Sequence, residues 1–212
     1  MKKFLFLLSA LALVTGGCAQ KPADKTAASS TPKPAASTST TTAPKANEKK
    51  APSTNPVPSD WVRMYNDAKG YEFYVPAGTK DQSQNVEGVD VYLANVPAPY
   101  DIGVIVVAFK DKTLTKDDLL KRAENILKSM GEKDIKIDAP KELSDDYSLA
   151  SCSSVDEKGK TTKAKILVGT DVTDNYIILV GTDSDKFGAN EKTIDEIWGS
   201  FGMYSGGASG NS

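Results

Sequence analysis

The chain contains no histidine and only two cysteines among its 212 residues. Without histidine it can form neither a Ser-His-Asp triad nor a Cys-His pair, and no histidine can bind zinc. The sequence also lacks a Gly-x-Ser-x-Gly nucleophile motif and a glycine-rich phosphate-binding loop. Because only carboxylate, lysine or tyrosine chemistry is left for catalysis, we expect a protein that is not an enzyme.

No apolar run is long enough to cross a membrane, since a spanning helix needs about 20 residues. The longest run, Phe4–Val14, has eleven apolar or small residues and follows two lysines. A secretory signal has a positive start and an apolar segment of about 7–15 residues. We therefore expect residues 1–17 to be a signal peptide that is removed.

The segment after the apolar run, "VTGGCAQ" with Cys18 at its centre, resembles the lipobox of bacterial lipoproteins. In that family the cysteine becomes the first mature residue and carries acyl chains such as palmitate. Thr15 stands where the lipobox usually has leucine. The resemblance implies that Cys18 is lipidated and holds the protein on the outside of the cell membrane, or at the outer membrane of a two-membrane cell, because two acyl chains give stable anchoring.

Two alternatives stay open at this end of the chain. Gly17-Cys18-Ala19 is also a small-x-small sequence, so cleavage after Ala19 would release a secreted protein that lacks Cys18. The chain could also keep Met1 and remain in the cytosol.

Residues 18–59 are rich in alanine, serine, threonine, proline and lysine, and Val57 is the only sizeable aliphatic residue among them. Such a segment cannot bury enough apolar surface to offset its ordering entropy. We expect a disordered tether that ends where the composition changes, at Asp60.

Charge divides the chain at the same place. Gln20–Ser59 holds six lysines against two acidic residues, a net charge of +4, whereas the residues from Asp60 onward include 18 basic and 26 acidic ones, a net charge of −8. The whole chain carries −2, so its charge does not favour a nucleic-acid partner.

Apolar patterns from Asp60 onward predict strands and helices. Strands are expected at Trp61–Tyr65, Tyr71–Val75, Val89–Val96, Ile102–Phe109, Ile135–Ile137, Tyr147–Val155, Thr161–Val168 and Tyr176–Val180. Ile102–Phe109 is apolar on both faces and should be central. A helix capped by Thr115 and ended by Gly131, and a second one capped by Asn190, complete the pattern.

Most connections between the predicted strands are too short for crossover helices. We therefore expect an α+β domain over residues 60–204, with a mainly antiparallel sheet and helices packed on both faces, followed by a disordered tail over residues 205–212.

Two segments carry a resemblance to the PsbP-like family, which has an α/β/α sandwich fold. "KGYEFYVPAGT" at Lys69–Thr79 resembles its first hairpin, and "TIDEIWGSF" at Thr193–Phe201 resembles its terminal helix. Family members mostly act as binding or assembly accessories. The resemblance therefore implies a non-catalytic protein with an envelope protein as its partner.

Four aspartates are the candidate metal ligands. The hairpin of Tyr147–Val155 and Thr161–Val168 would bring Asp145 and Asp146 near Asp171 and Asp174 at one end of the sheet. Carboxylate oxygens suit Ca²⁺ or Mn²⁺. Solvated loop aspartates with no ligand are the alternative.

Three functions follow in order of preference. The first is a lipid-anchored accessory or interaction module of the cell envelope, which needs no cofactor, with Tyr92 and Tyr100 as interface candidates. The second is a binder of a divalent cation or small ligand at the four aspartates. The third is a carboxylate-based hydrolase. If Cys18 is acylated, Cys152 has no second cysteine in the chain with which to form a disulfide. We expect Cys152 to be a buried core residue.

Overall fold

The computed structural model describes residues 48–50, 56–86, 89–111, 113–170 and 174–204, with the backbone alone at 48–50, 86 and 204. These residues belong to one compact unit of the chain, Lys45–Ser212. The predicted signal peptide, Cys18 and the predicted tail lie outside the described residues. No helix in the described part of the chain is both long and apolar enough to cross a membrane.

The described residues form twelve strands and two helices. In chain order they are β1 (Glu48–Lys50), β2 (Val62–Asn66), β3 (Tyr71–Val75), β4 (Lys80–Val86), β5 (Val89–Val96), β6 (Ile102–Phe109), α1 (Lys116–Ser129), β7 (Lys133–Ile137), β8 (Lys141–Glu142), β9 (Tyr147–Val155), β10 (Thr161–Thr170), β11 (Asn175–Asp183), α2 (Ser184–Gly199) and β12 (Gly202–Tyr204).

The strands form two sheets. The small sheet has the order β1-β12-β3-β2, and the large sheet has the order β4-β5-β6-β11-β10-β9-β7, with β8 also paired to β9. Every described strand pair runs antiparallel. The predicted α+β class with a mainly antiparallel sheet is therefore confirmed.

The most apolar strands lie at the centre of the large sheet. β6 pairs with β5 on one side and β11 on the other, and all of its residues except Ala108 are buried. A strand that is covered on both faces needs apolar side chains in both directions. The central position predicted for Ile102–Phe109 is confirmed.

Helix α1 begins and ends where the sequence predicts. Thr115 and Asp118 form a reciprocal capping box at its start. Gly131 adopts a φ of +90° just after its end, and the next backbone N–H, that of Glu132, donates to the carbonyl of Leu127 at 3.0 Å. Glycine tolerates this left-handed conformation, which explains the stop.

The predicted start of the last helix is wrong. α2 begins at Ser184, directly after β11, with Asp183 as its N-cap. Asn190 lies within the helix, is buried, and donates from Nδ2 to the carbonyl of Tyr100 at 2.6 Å. No loop separates the helix from β11, and its second turn contains Gly188. The sequence around Ser184 therefore has no clear signal for the start of a helix.

Four of the described strands lie where no strand is predicted: β1, β4, β8 and β12. β4 is a run of mostly exposed polar residues, which has no apolar alternation to reveal it. β1 falls inside the predicted tether and pairs with β12, with Lys50 opposite Gly202. Paired backbone therefore begins before Asp60.

An aromatic cluster joins the small sheet to the large one. The rings of Tyr71 and Phe201 stack with centroids 6.1 Å apart, and the ring of Tyr176 lies 5.7 Å from that of Phe201. The Tyr176 hydroxyl donates to the carbonyl of Lys69 at 2.7 Å. Both segments that resemble the PsbP-like family thus contribute to one core, where they serve packing.

Candidate functional site

The predicted acidic end of the large sheet is partly described. The backbone N–H of Thr170 donates to the carbonyl of Asp146 at 2.9 Å, so the end of β10 meets the loop that holds Asp145 and Asp146. Asp174 directly precedes β11, which pairs with β10 up to Thr170 and Asn175. The two loops therefore share one end of the sheet. Asp171 lies outside the described residues.

No group of three or more histidine, cysteine, aspartate or glutamate side chains suited to a metal occurs in the described part of the chain. Since one of the four predicted ligands is not described, the metal site at the acidic sheet end stays a prediction.

A buried polar cluster at the opposite end of β9 and β10 has no sequence motif. Glu132 follows α1 and is only 8% exposed. Its Oε2 accepts from the hydroxyl of Ser154 at 2.5 Å, and the hydroxyls of Ser154 and Thr162 lie 2.6 Å apart. Ser154 and Thr162 are directly opposite each other in the sheet, which places their side chains on one face.

Burial raises the pKa of the Glu132 carboxyl, the hydroxyl groups of Ser154 and Thr162 oppose this by hydrogen bonding, and the charge of Asp156 adds to the rise. A raised carboxyl pKa next to a serine hydroxyl is a feature of some acid–base sites. Here the bonds tie the end of α1 to β9 and β10, which also accounts for the cluster as a structural link.

A second buried carboxylate lies at the start of α2. Asp183 is 3% exposed and its Oδ2 pairs with the ammonium of Lys160, while its Oδ1 is buried with no hydrogen-bond partner among the described residues. Lys186, one turn into the helix, pairs with Asp101, and Asp101 raises the pKa of Lys186. These ion pairs join the helix to two neighbouring turns.

Cys152 is a buried residue of β9, as predicted. Burial, with smaller contributions from the charges of Glu132, Asp138 and Glu124, raises the pKa of its thiol to about 12. The thiolate, which is the reactive form, is therefore scarce at neutral pH.

A small cleft lies beside Tyr92, one of the predicted interface residues. Its volume is about 30 Å³, and Lys69, Asp90 and Tyr92 are among its lining residues. Ligand pockets have roughly 300–1,000 Å³, so this cleft suits water rather than an organic ligand. Tyr92 is half-buried and its hydroxyl donates to Asp81 Oδ2 at 2.8 Å; Tyr100 also packs against the core.

The exposed aromatic surface is on β2 instead. Tyr65 is 54% exposed and Val62 is 38% exposed. The guanidinium of Arg63 lies 4.6 Å from the centre of the Tyr65 ring, and its Nε donates to Glu72 Oε2 at 2.7 Å. Since side chains alternate along a strand, Arg63 and Tyr65 share the face turned away from Met64, which packs against the core.

Among the described residues, β2 is an edge strand of the small sheet. It pairs with β3 on one side, and no described strand lies on its other side. Proteins usually protect such edges with charges, bulges or proline. β4 starts with Lys80 and Asp81, and β7 carries two lysines and a register shift between Lys133 and Lys136. β2 has Arg63 as its only charged residue, and Glu72 pairs with that charge.

No protein-family model matches this chain, and no curated protein does. Solved structures do match. The solution structure of cyanobacterial PsbP (CyanoP) from Synechocystis sp. PCC 6803 is similar to this chain with a TM-score of 0.52 and 15% identity, over 71% of this chain and 95% of that one. The fold is PsbP-like.

Two other structures are similar at lower scores. LpqN, which is involved in cell envelope biogenesis of Mycobacterium tuberculosis, has a TM-score of 0.38 and 14% identity over 74% of this chain and 83% of its own. A variant of Mog1 has a TM-score of 0.45 and 12% identity over 66% of this chain and 93% of its own. Likeness at such identities concerns the fold and not the function.

Proposed function

We propose that this chain is a lipid-anchored, non-catalytic interaction module of the cell envelope, held outside the cytoplasm by acyl chains on Cys18. The anchor is supported by the order of the first residues: two lysines, an eleven-residue apolar run, small residues and then cysteine. The segment 19–47 would separate the anchor from β1, the first described strand.

The observation that carries the interaction function is the edge strand β2. It combines an exposed tyrosine, an arginine stacked on that tyrosine and a free sheet edge within the described residues. Tyrosine and arginine are enriched among the residues that dominate binding energy at protein interfaces. The buried carboxylates Glu132 and Asp183, by contrast, are engaged in contacts between elements of the fold.

The anchor is tested by mass spectrometry of the mature chain and by detergent partition of the full chain against Cys18→Ser. The expected result is an acylated N-terminal Cys18 and loss of detergent partition in the variant. A mature chain that begins at Gln20, or an unprocessed Met1, would refute the anchor.

The interaction function is tested with a photo-crosslinking amino acid placed in living cells at position 65, and at position 82 as the control. Tyr65 lies on β2, and Gln82 is an exposed residue on β4, the edge of the other sheet. We expect a discrete crosslinked protein from position 65 and none from position 82. Equal capture at both positions, or capture at neither, would contradict an interface at β2.

We also propose that α1 and α2 cover opposite faces of the large sheet. Both helices pack against β11. Ile178 of β11 belongs to the same core cluster as Ile194 of α2, whereas the preceding residue, Ile177, and Leu119 of α1 are buried but outside that cluster. Contacts of Leu119 methyls with Ile177, and of Ile194 with Ile178, in nuclear Overhauser spectra would support this, and exchanged partners would contradict it.

A second candidate function, cation binding at Asp145, Asp146, Asp171 and Asp174, is favoured by one observation. The bond from Thr170 to Asp146 brings the two aspartate loops to one sheet end. Thermal melting during titration with Ca²⁺ or Mn²⁺ tests it, with Asp146→Asn as the variant. No shift in the melting temperature at millimolar metal would eliminate this candidate.

A further inference from the structure

We propose that the outer edge of β2 binds an extended, lysine-bearing segment of a partner protein as an added strand. This inference rests on the proposed function of an interaction module and names its surface and the chemistry of its partner. Backbone hydrogen bonds would supply the affinity, as in other cases of strand addition, and the side chains along β2 would supply the selectivity.

The outer edge of β2 is regular and carries no lysine, which is the first observation in support. β2 pairs with β3 over all five of its residues, from Val62 opposite Val75 to Asn66 opposite Tyr71, so it is a regular strand with a second edge of the same length. That edge has none of the lysines or register shifts found on β7. An unprotected, regular edge with exposed apolar side chains is a template for another strand.

The second support is charge complementarity. The residues from Asp60 onward carry a net charge of −8, and Asp60, which is exposed, lies just before β2. Arg63, the one basic residue on the strand, is bonded to Glu72, so its charge is compensated within the fold. A segment with lysines would meet negative potential along this edge, and an acidic segment would be repelled.

The third support lies at the opposite edge of the same sheet. There the chain's own segment β1, with the sequence Glu-Lys-Lys, adds as an antiparallel strand to β12. The small sheet thus already takes up one lysine-bearing extended segment, drawn from a region of little apolar content. β2 is the other end of this sheet in the described order, and it exposes Val62 and Tyr65.

The test uses the purified mature chain and a synthetic peptide of alternating valine and lysine. Its controls are a peptide with glutamate in place of lysine and a peptide whose backbone N–H groups are methylated. Fluorescence anisotropy gives the affinity, and hydrogen–deuterium exchange locates the bound peptide. We expect protection of Val62–Asn66, binding about tenfold weaker for the glutamate peptide, and no binding for the methylated one.

Two matched variants separate the edge from the overall charge. Tyr65→Lys and Gln82→Lys each add one positive charge to an exposed position on an edge strand. The first should weaken binding of the lysine peptide about tenfold, because it also removes the aromatic contact, and the second should leave it within about twofold. Equal effects of the two variants, or protection at Glu48–Lys50 in place of Val62–Asn66, would overturn the proposal.

Crosslinking tests the interaction function of β2, and the peptide tests the chemistry of its partner. If crosslinking at position 65 captures a protein in cells but the lysine peptide does not bind, the assigned partner chemistry is wrong and the interaction function stands. If neither position 65 captures a protein nor the peptide protects β2, both are wrong.

Discussion

Gly181 lies in β11 opposite Ala164 of β10 and opposite Gly103 of β6. A Cβ added at Gly181 would come within 2.7 Å of the Ala164 Cβ and within 2.8 Å of the backbone carbonyl oxygen of Lys163. Neither atom belongs to a flexible side chain, so the two strands would have to move apart. Overpacking of this kind costs about 1–3 kcal/mol.

Gly188 provides a matched control within the same chain. It lies inside α2, and an added Cβ there would meet nothing within 4 Å. Alanine is favoured over glycine by about 0.5–1 kcal/mol in a helix interior. The same substitution should therefore destabilise the protein at Gly181 and stabilise it at Gly188.

Urea unfolding followed by circular dichroism measures both variants. Gly181→Ala should lower the free energy of unfolding by about 1–3 kcal/mol, which corresponds to roughly 2–12 °C in melting temperature for a domain of this size. Gly188→Ala should raise the free energy by about 0.5–1 kcal/mol. A Gly181→Ala variant as stable as the parent would refute the register between β10 and β11.

Three further predictions concern single residues. Because burial raises the pKa of Glu132, its contribution to stability is present below the ordinary glutamate pKa and is lost as pH rises through the raised one. Glu132→Gln should therefore gain stability relative to the parent as the pH rises above the ordinary glutamate pKa of about 4.3, measured by urea unfolding; a constant difference would contradict this. Thr115→Ala removes the capping box of α1 and should lower the unfolding free energy by about 0.5–2 kcal/mol; no loss would argue against the cap. Cys152 should react with a thiol reagent only in denaturant, because its thiol is buried and its pKa is raised to about 12; rapid labelling of the native chain would show an open site.

The strands and helices that sequence predicts well are those whose signal lies within a few adjacent residues. The uninterrupted apolar run of β6 predicts a strand covered on both faces, and it lies at the centre of the large sheet. The spacing of Thr115 and Asp118 predicts a helix start, and the cap forms. In both cases the physical cause is local: burial of one segment, and satisfaction of the first N–H groups of one helix.

The elements that sequence misses depend on pairing that their own residues do not reveal. β4 is polar, and pairing with the next strand, β5, makes it a strand. The start of α2 is hidden because Asp183 is both the end of β11 and the N-cap, bonded to Lys160 from a distant turn. Local patterns do not record such pairings.

The candidate sites divide in the same way. The signal peptide and the lipidation of Cys18 are predicted from the order of residues alone and stay predictions, since both lie outside the described residues. Which tyrosine is exposed is decided by the fold: Tyr92 packs beside Asp81 and Met64, whereas Tyr65 lies on a sheet edge. The link of Glu132 to Ser154 likewise exists because the end of α1 meets β9, a contact between residues 22 positions apart.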